Sequence, residues 1–400
     1  MIRFEWKKLF ERRLNAIAMV LGYVLIGICV SVWISGASFY DEATQTYIGG
    51  IDAVRRNQQH VESQTEILSE EYITQLVTEI QRYRLDLESD EAYEKIIRPM
   101  GDIFMVVAKN YTDMREKHID RDALNEIDLT EGAHFYEQRM QKITDFLNMD
   151  FSFGNYKEME KEYWIQKAEE TAIPFRWGNR DIMYMLWDLA APGFYLVFVI
   201  AICVSSVFSS EHESGAAYLL LTTKYGKNRL IWTKIGVSVL FAVGYLAVGI
   251  LLGAGAIGVF LGFDGAGLPV QLWDSVIPYN LTAAQACVAN FAVLILISVT
   301  LVLILLCCSA GLRSSLATLV IGFTILIAPG FFPMSKESGL WNHINYLFPI
   351  RVIDLKTMLG SYVSYPVGTH VISYVQMTVI VYIAISIVVM LSIKKVFLRA

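Results

Sequence analysis

Charge is scarce in this chain and nearly absent from its longest apolar runs. Only 18% of the 400 residues are charged and 54% are hydrophobic, whereas an ordinary soluble protein is roughly 25% charged. The charges that exist are segregated. Residues 39–185 hold 30 of the 39 acids and 17 of the 33 bases, a local net charge of −13, and the remainder carries +7. An acidic polar segment repels phosphate, which argues against nucleic acid as a partner. Cysteine is missing from that segment: Cys29, Cys203, Cys287, Cys307 and Cys308 all lie in or beside apolar runs. It therefore has no disulfide framework, as fits a bacterial cell surface. Catalytic signatures are missing too. The six histidines at 60, 118, 134, 212, 343 and 370 form no paired-histidine zinc motif, and neither a G-x-S-x-G elbow nor a G-x-x-x-x-G-K-[ST] loop occurs. Without a P-loop the chain is read as a non-enzyme. Glu211-His212-Glu213 has metal-ligating residue types, but three consecutive residues point apart on a helix. They are read as a solvated loop.

What is present is six apolar runs, at residues 15–37, 189–207, 237–262, 283–306, 316–332 and 371–393. About 20 mostly apolar residues cross roughly 30 Å of hydrocarbon, so the expectation is an all-α polytopic protein with six transmembrane helices. The first run is too long for a signal-peptide core and is read as an uncleaved span. With the N-terminus inside, thirteen bases face the cytoplasm, against Lys336, Arg351 and Lys356 in the short outer loops. By the positive-inside rule both termini are cytoplasmic and residues 39–185 external, in a plasma membrane. The last four runs contain no Asp, Glu, Lys or Arg. Ion-coupled carriers usually need such groups inside the membrane, so uphill transport would need a partner's energy.

The external segment reads as mostly helical. Ser69 is placed to cap a helix beginning Glu70-Glu71, with Tyr72, Ile73, Leu76, Val77, Ile80 and Tyr83 along one side. A second helix is expected from near Thr130, carrying Phe135, Tyr136, Met140, Ile143 and Phe146, and a third through Tyr156, Met159, Tyr163, Trp164 and Ala168. Pro99-Met100-Gly101 punctuates the segment. Its acidic faces either meet water or dock a cationic peptide. The N-terminus is short and amphipathic, with Ile2, Trp6, Leu9, Phe10 and Arg13 on one side, and is expected along the inner leaflet. Residues 345–358 read as an external counterpart or a re-entrant piece. In the third run, Gly249 and Gly253, then Gly258 and Gly262, recur at four-residue spacing. That spacing serves close helix packing, within the chain or across a dimer.

The most specific stretch joins the second and third runs. Glu211, Glu213 and Gly215 lead into Tyr218-Leu219-Leu220-Leu221-Thr222-Thr223-Lys224, and Gly226, Lys227 and Arg229 follow. This resembles the permease subunits of type-2 ABC exporters. There an acid and a glycine close the second span, a short apolar helix ending Leu-Leu-x-Thr follows, and a glycine turn with bases opens the third. The resemblance covers about 25 residues well, and the six-span plan extends it; the large external domain departs from the minimal plan. It implies a coupling helix seated on a separate cytosolic ABC ATPase, which would bind ATP and Mg²⁺, so that this chain needs no cofactor of its own. It also implies a second permease half, identical or a sister chain, all within the lipid bilayer. On the residues alone, the same helix could lie on the lipid heads. The rival function is a membrane-anchored sensor or accessory protein with a ligand-binding external domain.

Overall fold

Uncharged runs in hydrocarbon must satisfy their backbone groups internally, and helices do so. The computed structural model describes every residue except 42, 64–65, 85–101, 115, 117, 120–122, 224–225 and 400. Pro99-Met100-Gly101 and Lys224 thus lie outside the described residues. Helix α1 (Ile2–Glu11) breaks at Arg12, whose backbone is extended, and α2 (Arg13–Gly36) follows. An antiparallel hairpin, β1 (Ser38–Asp41) and β2 (Thr46–Gly49), pairs Ser38 with Gly49 and Asp41 with Thr46. The polar segment continues as α3 (Gly50–Ser63), α4 (Glu70–Arg84), α5 (Asp102–Tyr111), α6 (Phe135–Leu147) and α7 (Glu158–Glu169). Next, α8 (Asp181–Asp188), α9 (Ala190–Val204) and α10 (Ser209–Glu213) form one apolar rod, and α11 (Ala216–Thr222) turns off its end. Two long helices follow, α12 (Arg229–Leu261) and α13 (Ala283–Leu312), then the shorter α14 (Ser315–Ile327). The chain closes with α15 (Gly339–Tyr346), α16 (Pro349–Val352), α17 (Leu355–Gly360), the hairpin β3 (Ser364–Val367) and β4 (His370–Ser373), and α18 (Tyr374–Arg399).

Five helical stretches are long and apolar enough to cross a membrane: α2, the α8–α10 rod, α12, α13 and α18. This is a mostly helical, multi-pass membrane protein. The fifth run is shorter than its neighbours. Its 13 α-helical residues pass into a 3-10 turn at Ala328–Phe331. At 1.5 Å per residue α14 reaches about 20 Å, short of the roughly 30 Å hydrocarbon. Pro329 lacks the N–H that would continue the ladder. The last run is also trimmed, because residues 371–373 pair within the β3–β4 hairpin. Residues 345–358 fall across α15, α16 and α17, and Met358 is buried.

Helix α13 is central, packing on α18, α9, α12 and α14. Three glycines of α12 are spent on packing inside the chain. A Cβ on Gly249 would strike Leu196 of α9, one on Gly253 would sit 2.7 Å from Leu189, and one on Gly258 would strike Phe263. Gly262 ends the helix at φ +84°.

In the polar segment, Ser69 Oγ accepts from Tyr72 N at 3.2 Å, and Ile73, Leu76, Val77 and Ile80 are buried. The helix expected from Thr130 begins only at Phe135. Gly132 (φ +108°) and His134 (φ +50°) turn the chain first. The Glu70 carboxylate then accepts from the N–H groups of Phe135 and Tyr136, each at 2.9 Å, so an acid from α4 caps α6. The buried face of α6 carries Arg139 and Lys142 as well as the expected Phe135 and Ile143. Tyr156 precedes α7, whose buried face is Glu160, Trp164 and Ala168.

Loops between the long helices complete these cores. Leu268 and Leu272 pack with α4 and α5, while Val276 and Tyr362 pack with α6 and α7. Arg139 makes the tie polar. Its guanidinium donates to the carbonyls of Ser275 (2.5 Å), Ala168 (3.2 Å) and Ile277 (3.4 Å) and to Thr171 Oγ1 (3.3 Å). Lys142 donates to the Lys109 carbonyl at 2.6 Å, and Lys109 pairs with Asp274 at 2.7 Å.

Two outcomes follow from this packing. Gly253→Ala should cost about 1–3 kcal/mol of stability through overpacking and so lower the unfolding midpoint in detergent. Gly255→Ala, which faces open space on the same helix, should not lower it. Burial pulls the Lys142 ammonium down to about 8 from its ordinary 10.5, against the opposing pull of Asp274. Between those pH values the unfolded chain binds more protons than the folded one, so stability should rise with pH across that interval. Thermal unfolding against pH should show the rise in the wild type and lose it in Lys142→Met.

Candidate functional site

The site is the elbow where the α8–α10 rod ends and α11 begins. The rod is not a continuous ladder. At residues 205–208 the helix loosens, and Ser309 Oγ of α13 accepts from Phe208 N (3.2 Å) and Ser209 N (2.9 Å). Ser309 returns its own proton to the Ser205 carbonyl at 2.9 Å. Backbone groups freed by the break are thereby satisfied from outside, as buried polar groups require.

Glu211, expected in a solvated loop, is 3% exposed. Its Oε1 accepts from Lys234 Nζ at 2.8 Å and from Lys8 Nζ at 2.9 Å. Lys234, 1% exposed, also reaches Glu5 Oε2 at 2.9 Å, and Lys8 lies 3.7 Å from Glu5 Oε1. Two carboxylates and two ammonium groups from α1, α10 and α12 therefore close on one another. Among the described residues no group of His, Cys, Asp and Glu could hold a metal ion, so the cluster is an ion-pair node. Its formation also corrects the reading of α1. The buried residues are Glu5 and Leu9; Ile2 is exposed and Arg13 belongs to α2. Trp6 and Phe10 set their rings against Phe241 of α12, with centroids 6.4 and 6.0 Å away.

Glu213 has a different task. Its Oε1 accepts from Ser315 N at 2.8 Å, at the first turn of α14. A helix start has unpaired donors and a positive dipole end, so a carboxylate fits there. Ser209 Oγ meets Ser315 Oγ at 2.8 Å beside it. Gly215 follows at φ +73°, a left-handed bend that costs a residue with Cβ roughly 1–2 kcal/mol. From that bend α11 projects Tyr218 and Leu219, 67% and 74% exposed, while Ala217 faces inward and Leu220 is half-buried. Thr222 Oγ1 donates to the Leu219 carbonyl at 2.8 Å. Gly226 folds back so tightly that a Cβ would overlap the Leu220 carbonyl. Lys227 and Arg229 are exposed beyond it.

No protein-family model, curated protein or solved structure matches the chain. The site therefore rests on its own geometry. An exposed apolar pair and a basic turn stand on a platform joined to α1, α10, α12, α13 and α14. The residues of the elbow were visible in sequence. The clamp beneath it was missed, because Glu5, Lys8 and Lys234 lie about 200 residues from Glu211 or on another face of a basic segment. One signal was available: Lys234 stands inside an apolar helix, where a lysine needs a partner.

Lys234→Met would leave Glu5 and Glu211 buried with only Lys8 between them. Breaking a buried pair costs about 3–5 kcal/mol. The expected result is a lowered unfolding midpoint in detergent and faster tryptic cleavage at Lys7 and Lys8. Adding Glu5→Gln should recover part of the loss, and a wild-type midpoint for Lys234→Met would contradict the clamp.

Proposed function

We propose that the chain is the membrane-spanning permease subunit of an ATP-driven exporter of the type-2 ABC class. In this reading α11 is the coupling helix, seated in a cleft of a separate cytosolic ATPase that holds ATP and Mg²⁺. The observation that carries it is the exposure of Tyr218 and Leu219 on an otherwise fastened support. Apolar side chains set out together on a surface mark a contact site, and Lys227 beside them adds a charged handle. Two contacts beneath α11 support the reading. Glu211 joins the elbow to α12 and α1, and Glu213 joins it to α14. A displacement of α11 would reach α1, α12 and α14 at once, as rigid levers.

The same reading puts both termini in the cytoplasm and residues 39–185 outside a bacterial plasma membrane. It counts Ser315–Phe331 as a sixth, short crossing, with the bilayer thinned or the helix covered by its neighbours. Two such halves, as a homodimer or with a sister permease, would enclose the path.

Replacing Leu219 and Leu220 by Asp would bury two carboxylates in the ATPase cleft, at several kcal/mol unless they find partners. About 1.4 kcal/mol is a tenfold change in affinity, so copurification of the ATPase should fall by orders of magnitude while membrane abundance is unchanged. Lys227→Glu should be milder, near 1 kcal/mol or less for an exposed pair. If the double variant inserts normally and keeps its ATPase at wild-type levels, α11 is not the coupling helix.

A further inference from the structure

Between α1 and α11 lies a cavity of about 690 Å³, walled also by the rod and by α12. We propose that it binds the head group of an anionic phospholipid from the leaflet on the N-terminal side, with the phosphodiester on Arg12. Charge is the first argument. Of the charged lining residues, Lys8 and Lys234 share Glu5 and Glu211, and Glu11 is taken at 3.3 Å by Lys7, which lies outside the lining. Arg12 is left over. It donates to Ser206 Oγ, and among the described residues no carboxylate pairs with it. A single negative charge completes the set, and a phosphodiester carries one.

The lining supplies the second argument. Ser238 Oγ and Glu211 Oε2 are buried without a hydrogen-bond partner, and both residues line this cavity. A buried polar atom left unpaired costs about 1–3 kcal/mol, so these two await a ligand with both acceptors and donors. Phosphate oxygens would accept from the Ser238 hydroxyl, and the glycerol hydroxyls of a phosphatidylglycerol head would donate to Glu211. Much of the remaining wall is apolar, with Phe4, Leu9, Val207, Ala216 and Val237, beside Asn15, Ser210 and Ser214. Such a wall suits the ester and first methylenes of a lipid and not a free anion. Basic pockets between helices at a membrane surface recognise anionic head groups on this principle. A lipid held there would touch both α1 and α11 and so brace the elbow from beneath.

The full-length protein in detergent, titrated by native mass spectrometry with phosphatidylglycerol, phosphatidylcholine and inorganic phosphate, tests this without any ATPase. One phosphatidylglycerol should bind, about tenfold tighter than phosphatidylcholine, and inorganic phosphate should not displace it. Arg12→Gln should lose about tenfold, as expected for a charged hydrogen bond. Arg399→Gln, a basic position outside the cavity, should lose nothing. Should Arg12→Gln fail to fold, Ser238→Ala decides, with a several-fold loss expected. Equal affinity in the folded Arg12 or Ser238 variant, no preference over phosphatidylcholine, or displacement by inorganic phosphate would each overturn the proposal.

Discussion

A lysine ammonium that has lost its water must find carboxylates, and Lys234 finds two. Desolvating an ion costs several kcal/mol, recovered only where the geometry and the remaining hydrogen bonds are good. At this point the requirement draws together Glu5 from α1 and Glu211 from α10, with Lys8 closing the ring. Segments about 200 residues apart in sequence are joined by one charge. The N-terminal helix is thereby a structural part of the bundle, docked by its carboxylate and by Trp6 and Phe10 against Phe241. Helix α11 then stands on a support that cannot shift without disturbing α1, α12 and the rod together.

The opposite end of the molecule obeys the same rule with different donors and acceptors. Arg139 has its charge surrounded by carbonyl oxygens and a threonine hydroxyl. These acceptors come from the end of α7, the turn just after it and the loop between α12 and α13, so the polar segment is tied to the long helices. Tyr362 donates to the Val276 carbonyl, and Glu160 accepts from Ser364 Oγ at 2.7 Å. The polar segment is thus fastened to two inter-helix loops.

Unsatisfied backbone groups explain the smaller features. Glu70 caps α6, Glu213 caps α14 and Ser309 fills the break before α10. In each case a side chain from a distant element supplies what the local sequence does not. Glu70 and Glu213 would both pass for solvent-facing acids in a linear reading. Each carboxylate instead meets the positive end of a helix, although Glu213 stays exposed and Glu70 only partly covered.

Hydropathy and periodicity act over a turn or two, and everything governed at that range was legible in the chain. The apolar runs form long helices, Ser69 caps α4, and Ile73, Val77 and Ile80 face inward as their spacing requires. Gly215 and Gly226 bend where the pattern asks for bends. Pairing between remote elements leaves no periodic trace, so the sequence could not say that Lys234 would choose Glu5 and Glu211. Nor could it say that Gly249 and Gly253 would receive Leu196 and Leu189 of the same chain. The delayed start of α6 and the shift of residues 371–373 into a hairpin belong to the same class, since a left-handed His134 and a strand partner override local helical preference. Composition decided that the protein lives in a membrane; the desolvation cost of a few charges, settled only by three-dimensional packing, decided how its parts are joined.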